Sequence, residues 1–210
     1  MHDKYIIIGC CPRSASVYTH YLLGALGLQV GHERPFSDGV IGWQQLKPED
    51  EMRRSARDYA GGKEIVYLMQ VRHPLLVINS MAVLYNEGVW PTLPDASPHE
   101  YRLQIAGAGK QSGLVKAINL YYRLHKSAQS LRWHKIYRIE AIEEEWLAIA
   151  TLIGKPGVPM PDISRTTNTR RDKYEYPNYT WRDIYAAHPV LTKLIERMAA
   201  RWGYGEGDYQ

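Results

Sequence analysis

The chain has 210 residues, 45% of them hydrophobic and 23% charged, with a formal net charge of +4. These values fit one globular domain over residues 1–210 and exclude a wholly disordered chain or a scaffold too small to fold without disulfides or a metal. The slight basic excess favours an anionic ligand. Lys and Arg form no continuous stripe of the kind a nucleic-acid binder presents. Lys4 to Ile8 is a β-branched run ending at Gly9 and predicts a buried strand. Ser14 to Leu26 follows as a helix, with Tyr18, Tyr21, Leu22 and Leu26 at helical spacing and Gly27 as its stop. Leu28 to His32 predicts a second short strand, Pro48 to Tyr59 a polar surface helix, and Glu64 to Val71 a third strand. Pro74 stands at the first position of a helix running to about Val83.

The stretch from Tyr85 to Gly113 holds Pro91, Pro94, Pro98, Gly107, Gly109 and Gly113 and reads as a long functional loop or lid. Beyond it the sequence predicts a helix over 114–131, a strand over 135–139, a helix over 142–153 stopped by Gly154, and a last helix over 189–202. Strands that are continuous apolar runs, alternating with helices, imply an α/β fold of three layers: a central parallel sheet flanked by helices. In such sheets ligands gather at the carboxyl ends of the strands.

The two cysteines, Cys10 and Cys11, are adjacent, so no disulfide framework is expected. A reducing compartment, and with it a cytoplasmic location, is the expectation. No metal-ligand spacing is present, and the first apolar run, Tyr5 to Cys10, is too short for a signal peptide or a membrane span.

Two segments carry chemistry. Gly9-Cys10-Cys11-Pro12-Arg13-Ser14-Ala15-Ser16 joins the first strand to the first helix and offers backbone N–H groups, a fixed guanidinium and two hydroxyls to an anion. A nucleotide P-loop would place a lysine where Ala15 stands, which disfavours a kinase or NTPase. The same residues also serve as an ordinary strand–helix turn with Ser14 as its cap. The second segment places Arg72 at the end of the third strand and Ser80, after seven intervening residues, in the next helix. A guanidinium fork and a hydroxyl at this spacing suit a phosphate.

Together the two segments resemble the paired signatures of the sulfotransferases that use 3′-phosphoadenosine 5′-phosphosulfate. Pro12-Arg13-Ser14 opens the first signature, and Arg72 and Ser80 have the spacing of the second. Tyr137-Arg138-Ile139-Glu140 and the ending Arg201-Trp202-Gly203-Tyr204 also look like segments of that family. The chain departs from the pattern at Ala15, where the family has Gly, and at Val17, where it has a second hydroxyl residue. If position 15 requires a positive φ, Ala there costs ~1 kcal/mol or more.

The resemblance implies a P-loop-like sheet and a metal-independent transfer of a sulfuryl group to a hydroxyl or amine of a small-molecule or carbohydrate-type acceptor, releasing 3′-phosphoadenosine 5′-phosphate. It implies that Pro12, Arg13, Ser14, Ala15, Ser16 and Val17 hold the 5′-phosphosulfate. Tyr18 would stack on adenine, or else is core. Arg72 and Ser80 would bind the 3′-phosphate, with Arg170 brought over it on a late basic loop. Arg13 would also stabilise the departing phosphate. The base is expected after the second strand: Glu33 first, His32 next, Asp38 third. The alternatives are a non-catalytic nucleotide- or partner-binding relative and, behind it, a small-molecule kinase or NTPase.

Overall fold

Strand β1 (Lys4–Cys10) runs through the middle of a five-stranded, all-parallel sheet of order β2-β3-β1-β4-β5. Its partners are β3 (Gly39–Gly42) on one side and β4 (Glu64–Val71) on the other. The edges are β2 (Val30–His32) and β5 (Lys135–Arg138). The computed structural model describes residues 2–46, 49–86, 112–164 and 178–205. Seven α-helices occur among them: α1 (Ser16–Ala25), α2 (Glu49–Ala60), α3 (Pro74–Asn86), α4 (Gly113–Ala128), α5 (Ile142–Leu152), α6 (Trp181–Ala187) and α7 (Pro189–Arg201). The α/β class and the parallel sheet thus agree with the reading of the sequence. Among the described residues no helix is long and apolar enough to cross a membrane.

The chain divides into two compact units, residues 1–72 with 124–169 and residues 73–123 with 170–210. The first holds the whole sheet. Successive side chains of a strand point to opposite faces, and β1 uses both. Ile6, Ile8 and Cys10 pack with Tyr18, Leu22 and Leu23 of α1 and with Ile142, Trp146 and Ile149 of α5. Tyr5 and Ile7 face the other way, onto Met52, Ala56 and Ala60 of α2. Three layers follow: helices α1 and α5, the sheet, and α2. Ile6, Ile7 and Ile8 are at most 1% exposed, and burial of one such side chain stabilises by ~1.5–3 kcal/mol.

Strand β3 is absent from the sequence-based expectation. It has only four residues, two of them glycine, and glycine counts against a strand. It is joined to β2 by a six-residue link, 33–38, where a parallel pair usually needs a crossover helix. Gly39 makes this possible: its φ is +149°, and a Cβ there would stand 2.0 Å from the Ile6 carbonyl oxygen. Gly9 allows a second close approach, with the Trp133 ring and Leu46 lying where its Cβ would be.

In the second unit, Asn79 of α3 makes two hydrogen bonds with the backbone of Tyr179, one in each direction. Helix α6, also absent from the expectation, opens with a capping box between Thr180 and Asp183. The buried Thr192 hydroxyl of α7 returns to the carbonyl of Ile184. Tyr204 is buried and meets His73 edge to face, with ring centroids 5.4 Å apart.

Candidate functional site

The loop after β1 enters α1 later than the sequence predicts. The helix begins at Ser16, and its cap position is held by Ala15 rather than Ser14. No side chain caps the helix, so its first amides point outward without an intramolecular side-chain acceptor. Ala15 is left-handed, at φ 63° and ψ 30°, and Arg13 has φ 69°. Position 15 therefore does require a positive φ, the condition under which alanine carries a cost. Ala15→Gly is expected to raise stability by ~0.5–1 kcal/mol: it relieves a left-handed Cβ worth ~1–2 kcal/mol and loses part of that to chain entropy. Thermal unfolding checks this, with a rise of about 2–3 °C expected for a chain of this size and a fall contradicting it.

Between the two left-handed residues lies Ser14, 0% exposed. Its backbone is held on both sides: its N–H donates to the Cys11 carbonyl at 3.1 Å, and its carbonyl accepts from Gln70 Nε2. Its hydroxyl, however, is buried with no hydrogen-bond partner among the described residues. Such a group costs ~1–3 kcal/mol.

Gln70 is a residue the sequence reading passed over. It is fully buried on β4, beside Cys10 of β1. Its Oε1 accepts from Thr19 of α1 at 2.5 Å and from the Tyr137 hydroxyl of β5 at 2.8 Å, while its Nε2 holds Ser14. One amide thus ties the loop, α1, β4 and β5 together. Two residues further on, Arg72 Nη1 donates to the Arg13 carbonyl at 2.9 Å. The two cationic segments singled out in the sequence meet here through a hydrogen bond.

Across the loop, His32 ends β2 and its Nε2 lies 2.9 Å from Ser16 Oγ. Burial pushes the His32 imidazole below its ordinary value, as does His20, while Glu33 opposes them. His32 is therefore mainly neutral near pH 7, as a proton acceptor must be. Glu33 follows at φ 61° and is exposed. Asp38, the third candidate base, is misplaced for the role. It precedes Gly39, which pairs with Ile6 near the start of β1, so it lies toward the opposite end of the sheet from the loop. It is also engaged, accepting from Gln29 N–H at 2.8 Å and from Lys63 Nζ at 2.9 Å. Burial would raise its carboxyl, but these two partners outweigh burial and hold it below the usual range.

The remaining site residues divide. Pro12 is buried, and Val17 is half-buried on α1. Tyr18 is 5% exposed within the α1–sheet core, the packing role its spacing with Leu22 also allowed. Cys10 and Cys11 are free and buried, and burial pushes the Cys10 thiol up to about 12. Ser80 is buried on α3 in the second unit. Of the expected lid, Tyr85 and Asn86 end α3 and Gly113 opens α4. Residues 87–111, like Arg170 and its neighbours Arg165 and Arg171, lie outside the described residues.

The fold and this loop define an α/β protein whose central strand ends in a turn with two left-handed residues, a buried serine and an uncapped helix start. No family model matches the chain, and no curated protein is similar to it.

Proposed function

We propose that the chain is a sulfotransferase of P-loop-like fold, transferring a sulfuryl group from 3′-phosphoadenosine 5′-phosphosulfate to a hydroxyl or amine of a small-molecule or carbohydrate-type acceptor. The observation that carries this reading is the hydrogen bond from Arg72 to the Arg13 carbonyl. It joins the two segments whose combination made the resemblance specific. The orphaned Ser14 hydroxyl and the uncapped amides of α1 add donors for an anion at the same turn.

In this reading the loop amides, Ser14 and Ser16 hold the 5′-phosphosulfate, and Arg13 stabilises the charge that builds on the departing phosphate oxygen. Arg72 takes the 3′-phosphate. The acceptor atom bonds to sulfur as the bond from sulfur to the 5′-phosphate oxygen breaks. The electron pair stays on that oxygen, and the acceptor's proton goes to a base. The geometry favours His32 over Glu33 for that base, because its Nε2 turns into the loop while Glu33 is exposed.

Calorimetric titration tests the reading. 3′-Phosphoadenosine 5′-phosphate is expected to bind well above AMP, which lacks the 3′-phosphate. Arg72→Ala should cost ~1.5–3 kcal/mol of that affinity, most of it falling on the doubly phosphorylated ligand. Equal binding of AMP, or no binding of either, overturns the assignment. Binding without transfer to any of a panel of acceptors would instead support the non-catalytic relative.

A further inference from the structure

The turn after β1 is shaped as glycine would shape it, yet the chain has no glycine between Gly9 and Gly24. Cys11, Pro12, Arg13 and Ser14 form a hydrogen-bonded turn, with the Ser14 N–H donating to the Cys11 carbonyl at 3.1 Å. Proline second and a left-handed residue third is the order of a type II turn, whose third position favours Gly. Arg13 stands there at φ 69°, and Ala15 repeats the exception two residues on at φ 63°.

Two side chains from the end of β4 hold this backbone. Arg72 Nη1 donates to the Arg13 carbonyl and Gln70 Nε2 to the Ser14 carbonyl. The second bond matters most for Ala15, because the Ser14–Ala15 peptide is the plane that sets its φ. On the other side of Ala15 its own carbonyl is fixed by α1, accepting from the Thr19 N–H at 3.2 Å. In a trans peptide the N–H points opposite to the C=O. With the Ser14 carbonyl drawn to Gln70, the Ala15 N–H is turned away from Gln70 and the sheet.

We infer that Gln70 is a positioning residue of this loop: by holding the Ser14 carbonyl it keeps Ala15 left-handed and its N–H turned outward to an anion, the shape a glycine would take there unaided. This rests on the sulfotransferase reading, in which that anion is the 5′-phosphosulfate. Gln70 is suited to the role. It is fully buried, and its Oε1 is engaged by Thr19 at 2.5 Å and by Tyr137 at 2.8 Å, which leaves Nε2 one direction to point. The titratable groups paired with it across the sheet are Cys10 on β1 and Tyr137 on β5. Both keep their protons because burial pushes them up, the thiol to about 12.

The test combines Gln70→Met, which keeps the length and loses the amide, with Ala15→Gly. Full-length variants, folded by circular dichroism, are titrated calorimetrically with 3′-phosphoadenosine 5′-phosphate. A left-handed alanine without its tether is disfavoured about tenfold, and affinity falls with the fraction of loops in the binding shape. Gln70→Met should therefore bind about tenfold more weakly than the parent. In the Ala15→Gly background the same change should cost less than about threefold, because glycine takes positive φ about as readily as negative. Equal losses in the two backgrounds overturn the inference, since Gln70 would then support the fold without setting the loop; undiminished binding by Gln70→Met overturns it as well. Gln70→Glu covers the case in which Gln70→Met does not fold. Its carboxyl O–H can donate to the Ser14 carbonyl when protonated, and its carboxylate cannot. The NMR coupling between the Ala15 N–H and α-proton, which reads φ, should show Ala15 left-handed at about pH 5 and not at about pH 8 in this variant, and left-handed at both in the parent. A left-handed Ala15 at both pH values in Gln70→Glu overturns the inference without any ligand. Failure of the parent to bind the ligand, with the Ala15 coupling still responding in Gln70→Glu, overturns the sulfotransferase reading alone.

Discussion

Gly39→Ala is expected to leave little folded protein. A Cβ at this position would stand 2.0 Å from the Ile6 carbonyl oxygen and within 3 Å of the Ile6 nitrogen, and the backbone there has φ +149°. Neither partner can yield. Ile6 belongs to the central strand, pairs with Gly39 on one side and with Val66 on the other, and donates its N–H to the Asp38 carbonyl at 2.8 Å. Backbone strain and forced separation of two central strands together cost ~4 kcal/mol or more. Natural domains hold only ~5–15 kcal/mol in reserve. Soluble yield and circular dichroism on heating measure the result. Gly24→Ala is the control: it lies within α1, nothing approaches its Cβ within 4 Å, and it should gain ~0.5–1 kcal/mol from helix propensity. A Gly39→Ala variant that melts within a few degrees of the parent contradicts the account of β3.

Gln70→Leu is expected to be the most damaging change of a polar side chain around the loop. The leucine would fit the volume but strand the Ser14 carbonyl and leave the Thr19 and Tyr137 hydroxyls only each other as partners. At ~1–3 kcal/mol for a group left unpaired, and with the two hydroxyls reduced to the bond between them, the loss is on the order of 3 kcal/mol. The isosteric Gln70→Glu separates packing from hydrogen bonding. Its protonated form can accept from Tyr137 and donate to Ser14, as the amide does. Burial would raise its pKa above the unfolded value of about 4.3. Stability from the neutral form is then fully present below the unfolded pKa and is lost as pH rises toward the folded one. Gln70→Glu should therefore lie near the parent at pH 4–5 and fall well below it by pH 8, whereas Gln70→Leu should be equally poor at both. Urea titrations at the two pH values check this; a Gln70→Glu variant with no pH dependence relative to the parent would mean that the amide is not sealed from water.

The contrast between Gln70 and Gly39 explains what a reader of the sequence can and cannot find. The sheet is legible where apolar runs are long: Glu64 to Val71 has the same ends in sequence and structure, because Ile65, Val66, Tyr67, Leu68, Met69 and Val71 outweigh one glutamine. That glutamine was itself the missed signal. A polar residue inside a run buried on both faces must be satisfied by something, and here it holds the loop. β3 was illegible because the property that makes it a strand is the approach of another backbone to Gly39, which no local propensity records. The loop was found, with its cations and hydroxyls, because strand, turn and helix are contiguous in the chain. The start of α1 was misplaced by two residues, since Ser14 has the side chain of a cap and Ala15 has the geometry of one. The pairing of Ser16 with His32 joins separate elements and depends on how β2 lies against the first turn of α1. The resemblance places Glu33 ahead of His32 as the base, and no residue pattern along the chain records that His32 Nε2 lies against Ser16. Asp38 looked eligible by its place after the second strand, but the short link carries the chain back toward the start of the sheet before Asp38 is reached.

The two thiols give the molecule a clock of its own. Cys10 and Cys11 are the only cysteines in the chain, both lie at the junction of the central strand and the turn that leads into α1, and both are sealed from solvent. A thiol reagent can reach them only when this junction opens, and the Cys11 thiol, which burial also pushes well above its ordinary value, is as unreactive as its neighbour until then. The rate at which label accumulates in native protein therefore reports the opening of this one turn. A ligand that bridges Arg13, Ser14 and Ser16 would slow that rate in proportion to its occupancy, so binding can be followed by reaction time without any substitution or attached probe.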